Sequence, residues 1–194
     1  EDHYRRLKIP AHVEHGAFYG MYRTVYEWEE QPFVSVIIPN KDHAADLKKC
    51  LDSIYEKSEY RNFECVIVEN NSVEPETFAY YKELEAEHEN LRVAWYEGGF
   101  NFSKLINFGA AAARGDYFLL LNNDTELIDG SCIGELLGYC MREDVGAVGA
   151  KLLYEDVTIQ HAGVILGFGG TAGHAFLGKA RNDTGYAGRI LLAQ

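Results

Sequence analysis

No run of apolar residues in this sequence approaches the ~20 that a membrane-spanning helix needs. The first residues, Glu1–Asp2–His3–Tyr4–Arg5–Arg6, carry no apolar core of the kind a secretory leader has. Basic residues are scarce: 18 Lys and Arg against 30 Asp and Glu leave a formal charge of −12. A nucleic-acid-binding face needs the opposite balance, so that class of partner is excluded. A nucleotide is not, because a metal can neutralise its few phosphates locally. The four cysteines, Cys50, Cys65, Cys132 and Cys140, form no C-x-x-C pair. Each sits in an apolar pattern and reads as a small buried hydrophobe in a reducing compartment.

Glycine is missing where a dinucleotide-binding fold most needs it. The first strand–helix junction reads Pro39–Asn40–Lys41–Asp42–His43, with neither G-x-G-x-x-G nor a P-loop. Gly167–Phe168–Gly169–Gly170–Thr171–Ala172 does satisfy G-x-G-x-x-A. It lies late, no clear helix follows, and no acid stands ~20 residues further on, so it reads as a tight or flexible turn.

What is present is a regular alternation. At 194 residues the chain suits one domain with a substantial core. Residues 1–32 are aromatic and charged without a clear period and read as a lead-in segment, with Tyr19, Tyr22, Tyr26 and Trp28 expected in buried packing. From Phe33 onward, strands are expected at 34–38 (ended by Pro39), 63–68, 91–96, 117–121 and 145–150. Between them, Leu47, Cys50, Leu51, Ile54 and Tyr55 recur at helical spacing, and Pro75 opens a helix carrying Phe78, Tyr81, Leu84 and His88. A further helix is expected over 102–114, capped by Asn101 or Ser103 and stopped by Gly115, and another over 131–141. Such alternation means βαβ units and a largely parallel sheet. After Lys151 the pattern loosens, and the chain stops at Leu191–Leu192–Ala193–Gln194 without a closing element, which reads as truncation.

A parallel sheet collects the strand ends on one edge, where ligands bind. That edge receives Pro39–Asn40–Lys41, Glu69–Asn70–Asn71–Ser72 and Asn122–Asn123–Asp124. In order, Val36–Ile37–Ile38–Pro39–Asn40–Lys41, Val68–Glu69–Asn70–Asn71–Ser72, Ser103–Lys104–Leu105–Ile106–Asn107–Phe108–Gly109 and Leu121–Asn122–Asn123–Asp124 resemble the four motifs of family 2 glycosyltransferases. The usual forms are V-I-I-P-x-Y-N, V-D-D-G-S, S-x-x-x-N-x-G and L-x-D-x-D. Glu69 and Asn70 replace an Asp pair, Ile106 stands where many members carry Arg, and Asn122 replaces the first Asp of D-x-D. The N-N-D-T form is similar to a rhamnosyltransferase-like branch of that family.

The resemblance implies an α/β, Rossmann-like GT-A nucleotide-sugar-binding fold over 33–194, incomplete at its C-terminus. It implies inverting, metal-dependent transfer of a sugar from a UDP- or dTDP-type donor to a growing cell-surface polysaccharide. Pro39, Asn40, Lys41, Glu69, Asn71, Asn107, Asn122 and Asn123 are the expected nucleotide-sugar-binding residues, with Asp124 as the ligand of Mn²⁺ or Mg²⁺, a hard cation suited to oxygen. The acceptor is expected to be a glycan or lipid-linked chain, and the location cytoplasmic, with peripheral association at the inner face of the membrane. The general base of such a reaction is expected beyond Gln194; Asp156 and Asp183 are carboxylates without motif support, and His161 and His174 are ligands only on the less favoured reading. Two alternatives stand beside this: a non-catalytic nucleotide-sugar-binding domain, and a sugar nucleotidyltransferase, which would need a Gly-rich basic first loop.

Overall fold

A computed structural model describes residues 1–16, 19–185 and 188, so the expectation for the final residues 191–194 lies outside the described part. The chain divides into two compact units, Glu1–Gly138 and Tyr139–Gln194. The first opens with helix α1 (Asp2–Leu7) and an antiparallel hairpin of β1 (Ala11–His15) and β2 (Tyr22–Tyr26). There follow β3 (Val34–Asn40), α2 (Ala44–Lys57), β4 (Phe63–Glu69), α3 (Pro75–Glu87), β5 (Leu91–Trp95), α4 (Phe102–Ala112), β6 (Tyr117–Leu120) and α5 (Cys132–Cys140).

The four later strands form one parallel sheet in the order β5-β4-β3-β6. The chain steps outward from β3 through β4 to β5 and then returns to the far side of β3. That reversal places the topological switch point of the sheet between β3 and β6, where open α/β sheets bind ligands at the carboxyl ends of the strands. Side chains alternate across the sheet. Val36, Ile38, Cys65, Ile67, Leu91 and Val93 face α2, α3 and α5, and Ile37, Val66 and Val68 face α4. Each fully buried Ile or Val here contributes about 1.5–3 kcal/mol. On edge strand β6, Tyr117 and Leu119 pack inward whereas Phe118 and Leu120 are exposed.

The helices begin where local chemistry predicts. Pro75 occupies the first turn of α3, where no N–H is required. The Asn101 side chain accepts from Lys104 N at 3.0 Å and caps α4. Gly115 departs from expectation: α4 ends at Ala112, and Gly115 lies beyond it against β3. A Cβ there would sit 2.6 Å from Ser35 N and 2.8 Å from Phe33 O, so glycine is required for close approach rather than as a helix stop. Pro39 likewise does not end its strand, because Asn40 still pairs with Glu69. The expected strand over 145–150 is not formed; Gly146 and Gly149 interrupt an already short run. Of the four lead-in aromatics, Trp28 packs edge-on to Tyr60 and Tyr26 lies against Gly138, but Tyr19 and Tyr22 are exposed. They sit at a hairpin turn and on an exposed strand, where no neighbouring layer covers them.

Glu64 is 1 % exposed at the start of β4. Its oxygens accept from Ser35 Oγ at 2.7 Å, Arg114 N at 2.7 Å, Arg114 Nε at 2.8 Å and Arg92 Nη2 at 3.2 Å. Burial alone would raise its pKa, but the Ser35 hydroxyl, the Arg114 N–H and guanidinium, and Arg92 outweigh it and hold the carboxyl below its ordinary value.

Among its described residues the second unit holds two small antiparallel pairs, β7 (Leu152–Leu153) with β8 (Ile159–His161) and β9 (Val164–Leu166) with β10 (Ala172–His174). Gly167, Gly169 and Gly170, with φ of 83°, 65° and 93°, make the tight turn between β9 and β10. The late G-x-G-x-x-A string is therefore a hairpin loop.

Three outcomes follow. Gly109→Ala, whose Cβ would meet Ile37 Cγ2 at 2.5 Å, should cost about 1–3 kcal/mol in urea unfolding. Gly115→Ala should cost more, because it meets backbone that cannot rotate away. A carboxyl whose folded pKa lies below its unfolded one adds stability that is complete above the unfolded value and is lost as pH falls through the folded one. The stability gap between wild type and Glu64→Gln should accordingly be wide at pH 7 and narrow below about pH 4.

Candidate functional site

The three polar clusters lie at the carboxyl ends of β3, β4 and β6, on one edge of the sheet. Asn40 closes β3 and is buried, with Asn70 N donating to its carbonyl at 3.0 Å. Beyond it, Asp42 and His43 both take φ near 54°, a left-handed pair that non-glycine residues seldom adopt. Contacts from the β4–α3 loop hold that turn. Asp42 N donates to Ser72 Oγ at 2.8 Å, and Asp42 Oδ1 accepts from Val73 N at 2.7 Å and Glu74 N at 2.9 Å. These bonds, the Glu74 N–H first and the Val73 N–H after it, hold the Asp42 carboxyl below its ordinary pKa against a smaller opposing effect of burial.

Glu69 closes β4 and is 3 % exposed. Its Oε1 accepts from Ser72 N at 2.6 Å, and its Oε2 accepts from Ser72 Oγ and from Tyr81 Oη, each at 2.6 Å. Asn40 Nδ2 donates to Tyr81 Oη at 2.7 Å and to the Asp42 carbonyl at 3.0 Å. Asn123 Nδ2 in turn donates to Asn40 Oδ1 at 2.6 Å, across the switch point between β3 and β6. One continuous set of side-chain hydrogen bonds thus joins the ends of all three strands. Burial and the neighbouring Glu69 push the Tyr81 hydroxyl far above its ordinary pKa, so it keeps its proton. Asn70 and Asn71 both donate through Nδ2 to the Gly98 carbonyl, at 3.0 and 2.6 Å, tying in the loop after β5.

The sequence-based site residues therefore separate into two groups. Asn40 and Asn123 are hydrogen-bonded to each other, and Glu69 is joined to them through Tyr81. Lys41, Asn71, Asn122 and Asp124 lie at least partly exposed on the loops of the same edge, and Pro39 is half-buried within β3. Asn107 is exposed on α4 and takes no part in these bonds. Asp124 lies within a turn in which Thr125 N donates to Asn122 O at 3.3 Å. Behind that turn lies Cys50, whose Sγ is 3.7 Å from the Asn122 carbonyl and whose thiol burial pushes up to about 12. Among the described residues no group of three or more His, Cys, Asp or Glu forms a closed metal cage. A lone carboxylate beside amide oxygens fits a cation that takes its other ligands from phosphate and water.

Three participants were not singled out from the sequence. Helical spacing alone puts Tyr81 on the apolar face of α3, where it does pack, its ring meeting Trp95 edge-on at 6.0 Å. Asp42 and Ser72 lace two loops together, and only their polar identity beside the strand ends hinted at it. Trp95 itself ends β5, exposed on one side and stacked on Phe78 at 6.0 Å. In the second unit, His161 and His174 approach each other with Nδ1 atoms 2.8 Å apart. Asp156 and Asp183 are engaged locally, by Thr158 and by Gly185 N.

The profile of the family described as Glycosyl transferase family 2 matches residues 35–176. The chain is 41% identical over 155 residues to the O-antigen biosynthesis protein RfbC of Myxococcus xanthus, covering 80% of this chain and 12% of that protein. It is 40% identical over 173 residues to the uncharacterized protein y4gI of Sinorhizobium fredii, covering 89% and 19%. The chain thus spans less than a fifth of each of these relatives. Among solved structures, the mannosyltransferase PcManGT from Pyrobaculum calidifontis, in complex with GDP-Man and Mn²⁺, aligns with a TM-score of 0.58 at 20% identity, over 65% of this chain and 37% of that one. The parallel four-stranded sheet is that of the GT-A fold.

If the Asp42 carboxylate holds the β4–α3 loop, Asp42→Ala should accelerate hydrogen exchange at the Val73 and Glu74 amides while leaving the amides of β4 slow. Unchanged exchange at those two amides would remove this role.

Proposed function

Because the chain belongs to glycosyl transferase family 2, we propose that the carboxyl edge of its sheet is the donor half of a sugar-transfer site. A nucleotide sugar of the UDP or dTDP type lies along the β3 and β4 ends, near Pro39, Asn40, Lys41, Glu69 and Asn71. Its diphosphate reaches the Asn122–Asn123–Asp124 loop, where Asp124 takes Mn²⁺ or Mg²⁺. Bound there, the cation stabilises charge growing on the leaving diphosphate. Asn107, Asn122 and Asn123 contribute hydrogen bonds to the donor. The sugar passes with inversion to a growing cell-surface polysaccharide, and the enzyme works on the cytoplasmic side of the membrane.

One observation carries this reading. The Asn123–Asn40 hydrogen bond ties the β6 loop to β3 at the topological reversal of the sheet, the place where open α/β folds bind ligands. Support comes also from the O-antigen biosynthesis relative and from the GDP-Man and Mn²⁺ in a mannosyltransferase of the same fold.

Calorimetric titration with UDP, dTDP and GDP, each with and without Mn²⁺, tests the reading. Binding should strengthen with Mn²⁺, and Asp124→Ala should remove the Mn²⁺-dependent part, a loss of about tenfold or more for a charge-assisted contact. A chain that binds no nucleotide under either condition overturns the donor-site reading.

A further inference from the structure

The polarity of the strand-end hydrogen bonds is dictated from one end. An ionised carboxylate only accepts, so Glu69 obliges Tyr81 to spend its single proton on Oε2. Tyr81 Oη is then left as an acceptor, and the Asn40 group that faces it must be Nδ2. Both hydrogens of that nitrogen are used, the second on the Asp42 carbonyl. Asn40 Oδ1 is thereby turned toward Asn123, which has to answer with Nδ2. The amide of Asn123 is fixed, and its Oδ1 is the corner left outside the chain of bonds, on the residue next to Asp124.

From this we infer that Glu69 and Tyr81 are positioning residues, which act through Asn40 to hold Asn123 as a hydrogen-bond acceptor at the β6 loop. The inference rests on the donor-site reading and sharpens it: Asn123 receives a hydroxyl of the bound nucleotide sugar and cannot recognise a phosphate oxygen through that corner. Glu69 is wholly engaged by Ser72 and Tyr81, so its effect on the donor is exerted at a distance.

Reversing the polarity tests this. Asn123→Asp places a carboxylate against Asn40 Oδ1 and should lower the melting temperature. Adding Glu69→Gln allows the donors from Tyr81 to position 123 to turn round. The side-chain amide introduced at position 69 donates to Tyr81 Oη, Tyr81 donates to Asn40 Oδ1, and Asn40 Nδ2 donates to the carboxylate introduced at position 123. Melting of the single variants and of the double variant should be non-additive, the double recovering at least half of the loss from Asn123→Asp. Recovery stays partial because the Asp42 carbonyl loses its donor and the Ser72 hydroxyl its acceptor. Additive losses overturn the inference.

Tyr81→Phe, which interrupts the bonds without changing charge, should weaken the Mn²⁺ complexes of UDP or UDP-glucose about fivefold or more, the scale of one unmade buried hydrogen bond. Equal weakening of both assigns the hydroxyl to ribose, and weakening of UDP-glucose alone assigns it to the sugar. Unchanged binding of both overturns the inference. A wild-type chain that binds neither defeats the donor-site reading, and the melting comparison then decides the polarity by itself.

Discussion

Parallel pairing of β3 with both β4 and β6 is the constraint on which the rest of the first unit depends. Val34 is in register with Phe63 on one side and Tyr117 on the other. With the amino ends aligned, the carboxyl ends finish close together, and residues 83 positions apart, Asn40 and Asn123, come within hydrogen-bond distance. The helices complete this arrangement. Three of them cover one face, and α4 covers the other closely enough that Gly109 can carry no side chain.

Strand β4 carries a buried carboxylate at each end, and the two serve different purposes. Glu64 at the amino end is neutralised by arginines and binds α4 to the sheet. Glu69 at the carboxyl end meets hydroxyls and a backbone N–H, with no cation in contact among the described residues. Removing two charges from water costs several kcal/mol each unless hydrogen bonds replace hydration. The fold supplies that replacement in both places: as counter-charge at the amino end, and as oriented neutral dipoles at the carboxyl end. The difference in parity between positions 64 and 69 puts them on opposite faces of the sheet.

The order of strands and helices was legible because each buried strand is a short β-branched run and each helix repeats its apolar residues at helical spacing. The strand-end clusters were legible as positions, since a polar triplet that halts an apolar run marks an edge. Their wiring was not. Tyr81 occupies a core-facing place on α3, where a hydroxyl adds nothing to periodicity, and its partners lie 41 residues back and 12 residues back in the chain. Gly115 reads as a helix terminator until its distance to Ser35, 80 residues away, is known. The hairpin in the lead-in left no signal because its strands are half-exposed and lack an apolar alternation. GT-A architecture followed from four motifs in series, none of which carries it singly.

Cys50 lies directly behind the loop that bears Asp124, its sulfur against the Asn122 carbonyl. A thiol held there, protonated and screened, reacts with a labelling reagent only during excursions that lift the loop away. Its modification rate is therefore a built-in clock for opening at the sheet edge. Any ligand that fastens the loop must slow that clock in proportion to the fraction of molecules it occupies.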